Sequence, residues 1–325
     1  MLQNTAKSGL QTRATSLDEC RVMSERGELF AILDACDAPA VPKQALELGG
    51  QRAISLYQGT AQQEHWEIAP YLMQVDSAML DWIIRILGNQ PWGILVFSKS
   101  DLDRLRRHFR HFLMVQSPTS EQWYFRFYDP RVLKTFLSTC LDEQLAILGD
   151  PVSGLGVVDE GLEMVTIWWN PISSPQRPEP STRTSSLPLL KIRQEQVDAF
   201  KPQAENAFAT EMIAYLKEQL PECIEGLSND VLRQRVRTSI ARAQAYGLKL
   251  EWTLTAFIAT MFSVAPNFDE QENIHRALTD ERVAPDDRMD HMLEVTTEQD
   301  WDKAEQAYDP KAWESAIPMQ GYGKR

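Results

Sequence analysis

A segment that changes from strand to helix within a few residues is the feature that most constrains how this chain folds. Residues 123–128 alternate between aromatic and polar positions, as the residues of a half-buried strand do. Successive strand residues point to opposite faces, so Phe125 and Phe127 are predicted to share one face. The other face then carries Tyr124, Arg126 and Tyr128. The pattern predicts a sheet that is buried on its phenylalanine side.

The helix after this strand has a clear start. Asp129 is a natural N-cap, and Pro130 would fill the first turn, where its missing N–H costs nothing. Apolar side chains then recur at helical spacing over residues 132–137. Arg126 and Arg131 bracket Asp129, which predicts a cluster of two arginines and one carboxylate at the corner. Either the cluster fastens the helix to the sheet or it forms a recognition surface.

Composition describes a soluble globular protein of 325 residues, 43% hydrophobic and 24% charged. The net charge of −13 and the isoelectric point near 4.9 argue against nucleic acid or an anionic membrane as the main partner. A surface of this kind suits a protein partner that carries a basic patch.

Three features predict a cytoplasmic protein with no membrane insertion. Residues 1–10 lack the apolar core of a secretory signal. The longest apolar run, residues 252–265, is too short to cross a bilayer. Four cysteines are scattered without short spacing, which is typical of free thiols in a reducing compartment: Cys20, Cys36, Cys140 and Cys223.

Changes in composition divide the chain into four parts. A polar N-terminal arm over residues 1–25 precedes an α/β domain over residues 26–170, where strand patterns alternate with helical ones. Residues 171–189 are rich in proline and serine and predict a linker. Residues 190–325 read as an acidic helical domain without strands. The predicted fold class is therefore α/β or α+β, with an N-terminal mixed-sheet lobe followed by an all-helical lobe.

A search for catalytic and cofactor motifs finds none. The chain has no phosphate-binding loop, no dinucleotide fingerprint and no nucleophile elbow. His108 and His111 have a spacing that can chelate a metal, but neighbouring arginines would repel a cation. The residues alone therefore offer no recognisable catalytic site, and we expect a protein that holds no metal and no cofactor.

Candidate partner-binding residues are instead arginines and aromatic side chains, the types that often anchor protein interfaces. One predicted helix carries a basic face, which is either a contact site or covered by the acidic C-terminal helices. Trp168 and Trp169 are adjacent in a predicted strand, so one can be core and the other a contact. The full set is Arg104, Arg107, Arg110, Trp123, Tyr124, Arg126, Tyr128, Asp129, Arg131, Trp168 and Trp169.

Four pieces of the chain, in this order, carry a family resemblance. They are residues 30–35, residues 69–72, residues 92–98 with 107–110, and residues 125–133. In these pieces the chain resembles the type VI secretion effector adaptors, also called Tap or TEC chaperones, whose shared domain is classed as one of unknown function. The resemblance covers about residues 28–170, and the last piece is the most specific.

The resemblance implies a non-enzymatic role in bacteria. Family members bind a toxic effector, load it onto the VgrG spike of the contractile apparatus and remain in the producing cell. The family supplies no catalytic residues, and its most specific motif corresponds here to Arg126, Tyr128, Asp129, Pro130 and Arg131. Two other functions stay open on the residues alone: an immunity protein that neutralises a toxin, and an enzyme with an unrecognised carboxylate-based site.

Overall fold

The computed structural model describes residues 9–36, 38–88, 90–159, 161–170 and 188–316. The chain divides into two compact units, residues 1–200 and residues 201–325. The β-sheets lie in the first unit, and the described residues of the second form helices and short helical turns. The predicted fold class, a sheet-containing lobe with helices followed by a helical lobe, is confirmed.

The described residues form ten strands and twelve α-helices. In chain order the strands are β1 (Gln11–Ser16), β2 (Leu29–Asp34), β3 (Ala53–Ser55), β4 (Pro70–Gln74), β5 (Gly93–Phe97), β6 (Met114–Gln116), β7 (Gln122–Tyr124), β8 (Gly154–Val158), β9 (Met164–Trp169) and β10 (Leu190–Lys191). The helices are α1 (Leu17–Glu25), α2 (Val41–Gln44), α3 (Thr60–Glu64), α4 (Ser77–Trp82), α5 (Leu102–Arg110), α6 (Pro130–Thr139), α7 (Gln194–Gln219), α8 (Asn229–Ala245), α9 (Glu251–Ser263), α10 (Glu272–Leu278), α11 (Arg288–Val295) and α12 (Glu298–Gln306).

The larger sheet has the strand order β1-β9-β8-β5-β2-β4-β3, and every neighbouring pair is antiparallel. β2 is an interior strand, where Ile32 is opposite Leu72 of β4 on one side and Ile94 of β5 on the other. All six residues of β2 are buried, which explains why the first five form a continuous apolar run. A strand covered on both faces has no solvent side on which to place polar residues.

Helices cover both faces of this sheet. Phe30 and Ile32 of β2 belong to a core cluster that includes Leu105 of α5 and Phe136 of α6. The alternate residues of β2 belong to a second cluster, which α1, α2 and α4 complete on the opposite face. Full burial of a leucine, isoleucine or phenylalanine side chain contributes about 1.5–3 kcal/mol to stability. Unit 1 is therefore a three-layer arrangement built on apolar side chains that alternate between the two faces.

The N-terminal segment differs from the polar arm predicted over residues 1–25. Residues 11–16 form β1, an edge strand that places Gln11 opposite Trp169 and Ser16 opposite Met164. Ser16 then caps α1, with Glu19 completing a capping box. An edge strand can keep polar side chains because much of it stays in solvent. The sequence therefore lacks the apolar alternation that marks a half-buried strand.

A smaller sheet has the order β10-β6-β7, in which β6 is antiparallel to β7 and parallel to β10. Two predictions are corrected here. The strand predicted over residues 123–128 ends at Tyr124, and β10 is a strand in the segment predicted to be all-helical. β10 is only two residues long, too short for a periodic pattern to reveal it.

The start of the predicted C-terminal domain belongs to unit 1. Leu190 and Ile192 are buried in the same core cluster as Phe30, and the division between units falls after Phe200, within α7. The linker predicted over residues 171–189 lies outside the described residues except at its last two positions. The prediction of a linker there stays a prediction.

Unit 2 is built on its own apolar cluster, contributed by α7 to α12. Ser228 caps α8, and Gly247, with a φ of 83°, follows the C-terminal end of that helix. The fully buried guanidinium of Arg242 donates to Asp269 at 2.8 Å and to Glu270 at 2.6 Å. Removing these carboxylates would destabilise the fold, because it would leave a charged guanidinium buried without its ion-pair partners.

Candidate protein-contact surface

The corner between β7 and α6 is fastened by Asp129. Its carboxylate accepts a hydrogen bond of 2.8 Å from the Arg131 backbone N–H and so caps α6. The Arg131 guanidinium also donates to it, at 2.9 Å from Nε and 2.6 Å from Nη2. Asp129 is buried, whereas the Arg131 side chain is 47% exposed. Asp129 therefore acts as a structural cap, and Arg131 keeps part of its guanidinium at the surface.

Arg126 has a different partner from the one that the sequence suggests. Its Nη2 donates to Oδ2 of Asp34, a fully buried carboxylate at the end of β2 and 92 residues away in sequence. Asp34 also accepts a hydrogen bond of 3.1 Å from the Cys36 N–H. In place of one shared aspartate, Arg131 pairs with Asp129 and Arg126 pairs with Asp34. Asp34 and Arg126 tie the corner to the central strand of the larger sheet.

Three tyrosines lie beside this pair. The hydroxyls of Tyr124 and Tyr128 share a hydrogen bond of 2.8 Å, and the Tyr57 ring meets the Tyr124 ring edge-on with centroids 6.1 Å apart. Tyr128 is buried, which corrects its predicted place on the solvent side of a strand. Tyr124 as a whole residue is 42% exposed. Burial raises the pKa of both Tyr124 and Tyr128 above 10, so both hydroxyls stay neutral at physiological pH.

Helix α5 carries the basic residues in three settings. Asp101 caps the helix by accepting a 2.7 Å hydrogen bond from the Arg104 N–H, and the Arg104 guanidinium pairs with Asp150. Arg107 is exposed, and Arg110 is half-buried. Within the part of the chain that the structure describes, neither of the last two has an ion-pair partner. Arg107 and Arg110 therefore stay candidates for contact with an acidic partner.

Arg106, on the same helix, is a residue that the sequence search missed. It donates to the backbone carbonyls of Ser55 at 2.9 Å and Tyr57 at 3.1 Å, and so holds the end of edge strand β3. A shallow cavity of about 360 Å³ borders Arg106, Ser55 and Trp66. The spacing of α5 alone could not reveal this role, because the acceptors are about 50 residues away in sequence.

The tryptophan pair lies on β9. Trp168 packs against the core cluster that contains Phe125, whereas Trp169 lies on the other face beneath Arg13, at 5.9 Å from the guanidinium carbon to the ring. Trp169 also borders a cavity of about 400 Å³ with Arg13 and Lys99. The opposite orientation of the two rings agrees with the prediction. Their strand belongs to the larger sheet, whereas Trp123 and Tyr124 lie on β7 of the smaller one.

Among the described residues, no three His, Cys, Asp or Glu side chains are grouped as a metal would need. Nε2 of His108 lies 3.0 Å from the Ile147 carbonyl oxygen, so one of the two ring nitrogens of this histidine is already hydrogen-bonded. No helix within the described ranges has the length and apolar character to cross a membrane.

Comparison with protein families finds a match over the first unit. Residues 29–146 match a domain of unknown function, DUF4123. No curated protein and no solved structure matches the chain. The DUF4123 match covers 118 of the 325 residues and includes all four pieces that carry the resemblance, but it ends before residue 170. The candidates from Arg104 to Arg131 lie within it, whereas Trp168 and Trp169 lie beyond it.

Proposed function

We propose that this chain is a cytoplasmic adaptor that binds a type VI secretion effector and helps to load it onto the VgrG spike, without catalysing a reaction. The observation that carries the proposal is the DUF4123 match over residues 29–146. The same segment contains the motifs through which the chain resembles the effector adaptors. The proposed role is therefore assigned first to unit 1.

The arrangement of those motifs supports the proposal. Residues 30–35, 69–72 and 92–98 contribute β2, β4 and β5, which are neighbours in the larger sheet. Arg126, in the most specific motif, pairs with Asp34, in the first motif. The motifs thus build one folded body, and exposed side chains beside it provide contact candidates. Trp123 and Tyr124 are 39% and 42% exposed, and Arg107 is exposed as well.

A secretion assay in the native cell tests the function. Deleting the gene should remove the effector from the culture medium while the VgrG spike is still secreted and the effector is still made. Restoring the gene should restore effector secretion. If effector secretion is unchanged by the deletion, the chain is not its adaptor. If the deletion makes the cell sensitive to its own toxin, the chain is an immunity protein.

Binding kinetics with purified effector test the basic helix. Arg107→Glu should slow association, more at low than at moderate salt, because exposed charges act mainly on the encounter rate. The control is Lys134→Glu, which makes the same change of charge at an exposed residue of α6. Folding should survive both changes, since an exposed charge contributes only about 0–1 kcal/mol. If association with Arg107→Glu is as fast as with the control, α5 does not guide the effector.

A further inference from the structure

β7 pairs with β6 along one of its edges. Two hydrogen bonds of 2.8 Å fix which backbone groups face β6: one runs from the Phe125 N–H to the Leu113 carbonyl, and one from the Ser117 N–H to the Glu121 carbonyl. In an antiparallel ladder the bonded positions alternate along the strand. Trp123 therefore also turns its backbone groups toward β6.

Gln122 and Tyr124 occupy the alternate positions, so their N–H and C=O groups point away from β6. The opposite edge of β6 shows the same alternation. The backbone carbonyl of Gln116, which lies opposite Gln122, accepts a 2.8 Å hydrogen bond from the Ile192 N–H on the β10 side. Among the described residues, no group hydrogen-bonds to the outward backbone groups of Gln122 and Tyr124. The outer edge of β7 is thus a short row of two donors and two acceptors.

The side chains of β7 suit a protein contact. β7 carries no charged residue and no proline, two devices by which proteins block an edge strand. All three of its residues are exposed. Trp123 lies opposite the buried Val115, so it extends an apolar face of the sheet to the rim. Large aromatic side chains at such a rim are typical anchors of protein interfaces.

Basic residues lie near the Tyr124 end of this edge. Tyr57 contacts the Tyr124 ring, and its carbonyl accepts a 3.1 Å hydrogen bond from Arg106 of α5. Arg110 follows Arg106 by one helical turn and has no ion-pair partner in the described part of the chain. A positive charge at this end favours acidic side chains in a segment that binds along the edge.

We propose that the outer edge of β7 binds an extended, acidic segment of a partner protein as an added strand. The segment would hydrogen-bond to the backbone of Gln122 and Tyr124, place an apolar side chain beside Trp123, and direct acidic side chains toward Arg110. Backbone bonds supply affinity in this mode of recognition, and side-chain contacts supply specificity. The proposed strand addition depends on the proposed function in one respect, because it takes the partner to be a protein.

The test uses peptides selected from a random displayed library on the purified full-length chain. The best peptide is made with single N-methyl groups along its backbone, and its Kd is measured. Methylation should weaken binding about tenfold at alternate positions, because only every second amide of an added strand faces β7. Hydrogen exchange at the Gln122 and Tyr124 amides should slow when the peptide is bound. That of Trp123, already bonded to β6, should change little.

Variants of the chain give an independent readout. Gln122→Pro removes an outward N–H and should weaken the peptide about tenfold, with circular dichroism showing that the chain is folded. Arg110→Glu should weaken it several-fold at low salt, whereas the control Lys134→Glu should not. Peptides that bind Gln122→Pro as tightly as the parent chain would overturn the proposal. So would a selection that yields no peptide dependent on β7.

The two proposals can fail separately. If deleting the gene abolishes effector secretion while no peptide engages β7, the adaptor function stands and the added strand is wrong. If peptides bind along β7 while effector secretion is unaffected by the deletion, the edge is a binding site for a different protein. The peptide measurements need only the purified chain, so they do not depend on the identity of the effector.

Discussion

At the corner between β7 and α6, Arg126 and Arg131 hold carboxylates in different surroundings. Asp34 is fully buried, and its partner Arg126 is 32% exposed. Asp129 is nearly as buried, but it also accepts a backbone hydrogen bond that does not depend on the Arg131 side chain. Loss of Arg126 would remove a cation that pairs with a fully buried carboxylate. Loss of Arg131 would leave Asp129 capping α6.

We therefore expect Arg126→Ala to destabilise the chain more than Arg131→Ala does. The first change should lower the free energy of unfolding by about 3 kcal/mol, because it removes one partner of a buried ion pair. The second should cost about 1 kcal/mol or less, because Arg131 is half in solvent. Urea unfolding measures both, with Arg107→Ala as an exposed control. Equal destabilisation by the two changes would contradict a special role for Asp34.

Among the helices, α12 has a start that depends on one carboxylate. Asp300 accepts hydrogen bonds from the Thr297 N–H at 2.9 Å and the Thr297 hydroxyl at 2.8 Å. The side-chain amides of Asn273 and Gln271 donate to its other oxygen at 2.8 Å and 3.0 Å. These bonds, the Thr297 backbone bond first, lower the pKa of Asp300 to about 2.

This cap should make unit 2 sensitive to acid. The pKa of Asp300 in the folded chain lies below its ordinary value of 3.8, so the cap stabilises fully above that value and loses its contribution as pH falls toward 2. Asp300→Asn should reduce the loss of stability between pH 4 and pH 2. Urea midpoints over this range measure the effect, with the exposed Asp302→Asn as control. An unchanged pH profile in Asp300→Asn would show that the cap does not contribute.

For the whole molecule, the segment after the predicted linker completes unit 1. Leu190 and Ile192 are buried in its core. The Gln144 side-chain amide donates to the Lys191 carbonyl at 2.6 Å and to the Gln196 side-chain oxygen at 2.8 Å. Unit 1 is thus made from chain on both sides of residues 171–187. A cut there would leave part of unit 1 on the C-terminal fragment.

Limited proteolysis tests this arrangement. The proline-rich composition predicts the first cleavage between residues 171 and 188. The two fragments should elute together in native gel filtration, because residues 190 and 192 of one pack in the core of the other, and separate in urea. A first cut within residues 90–140 would contradict the predicted linker. Separation of the fragments without urea would contradict the role of β10 in unit 1.

Local features of this protein follow from the sequence by itself. The central strands β2 and β5 are continuous apolar runs, and Asp129 with Pro130 marks the start of α6. Ser228 marks the start of α8 in the same way. Caps and apolar runs act between residues close together in the chain, so their signals can be read in a short window. These signals were enough to predict the fold class and several arginine and aromatic candidates at the surface.

Only the tertiary structure decided which residues meet. Alternation along residues 123–128 predicts a strand with two faces, but the strand ends at Tyr124, and Tyr128 beyond it is buried. Asp34 and Arg126 are brought together by the packing of the corner against the end of β2, and Arg106 by the position of β3. β1 and β10 form because partner strands are adjacent in space. Such contacts join residues far apart in the chain, and no spacing within a short window encodes them.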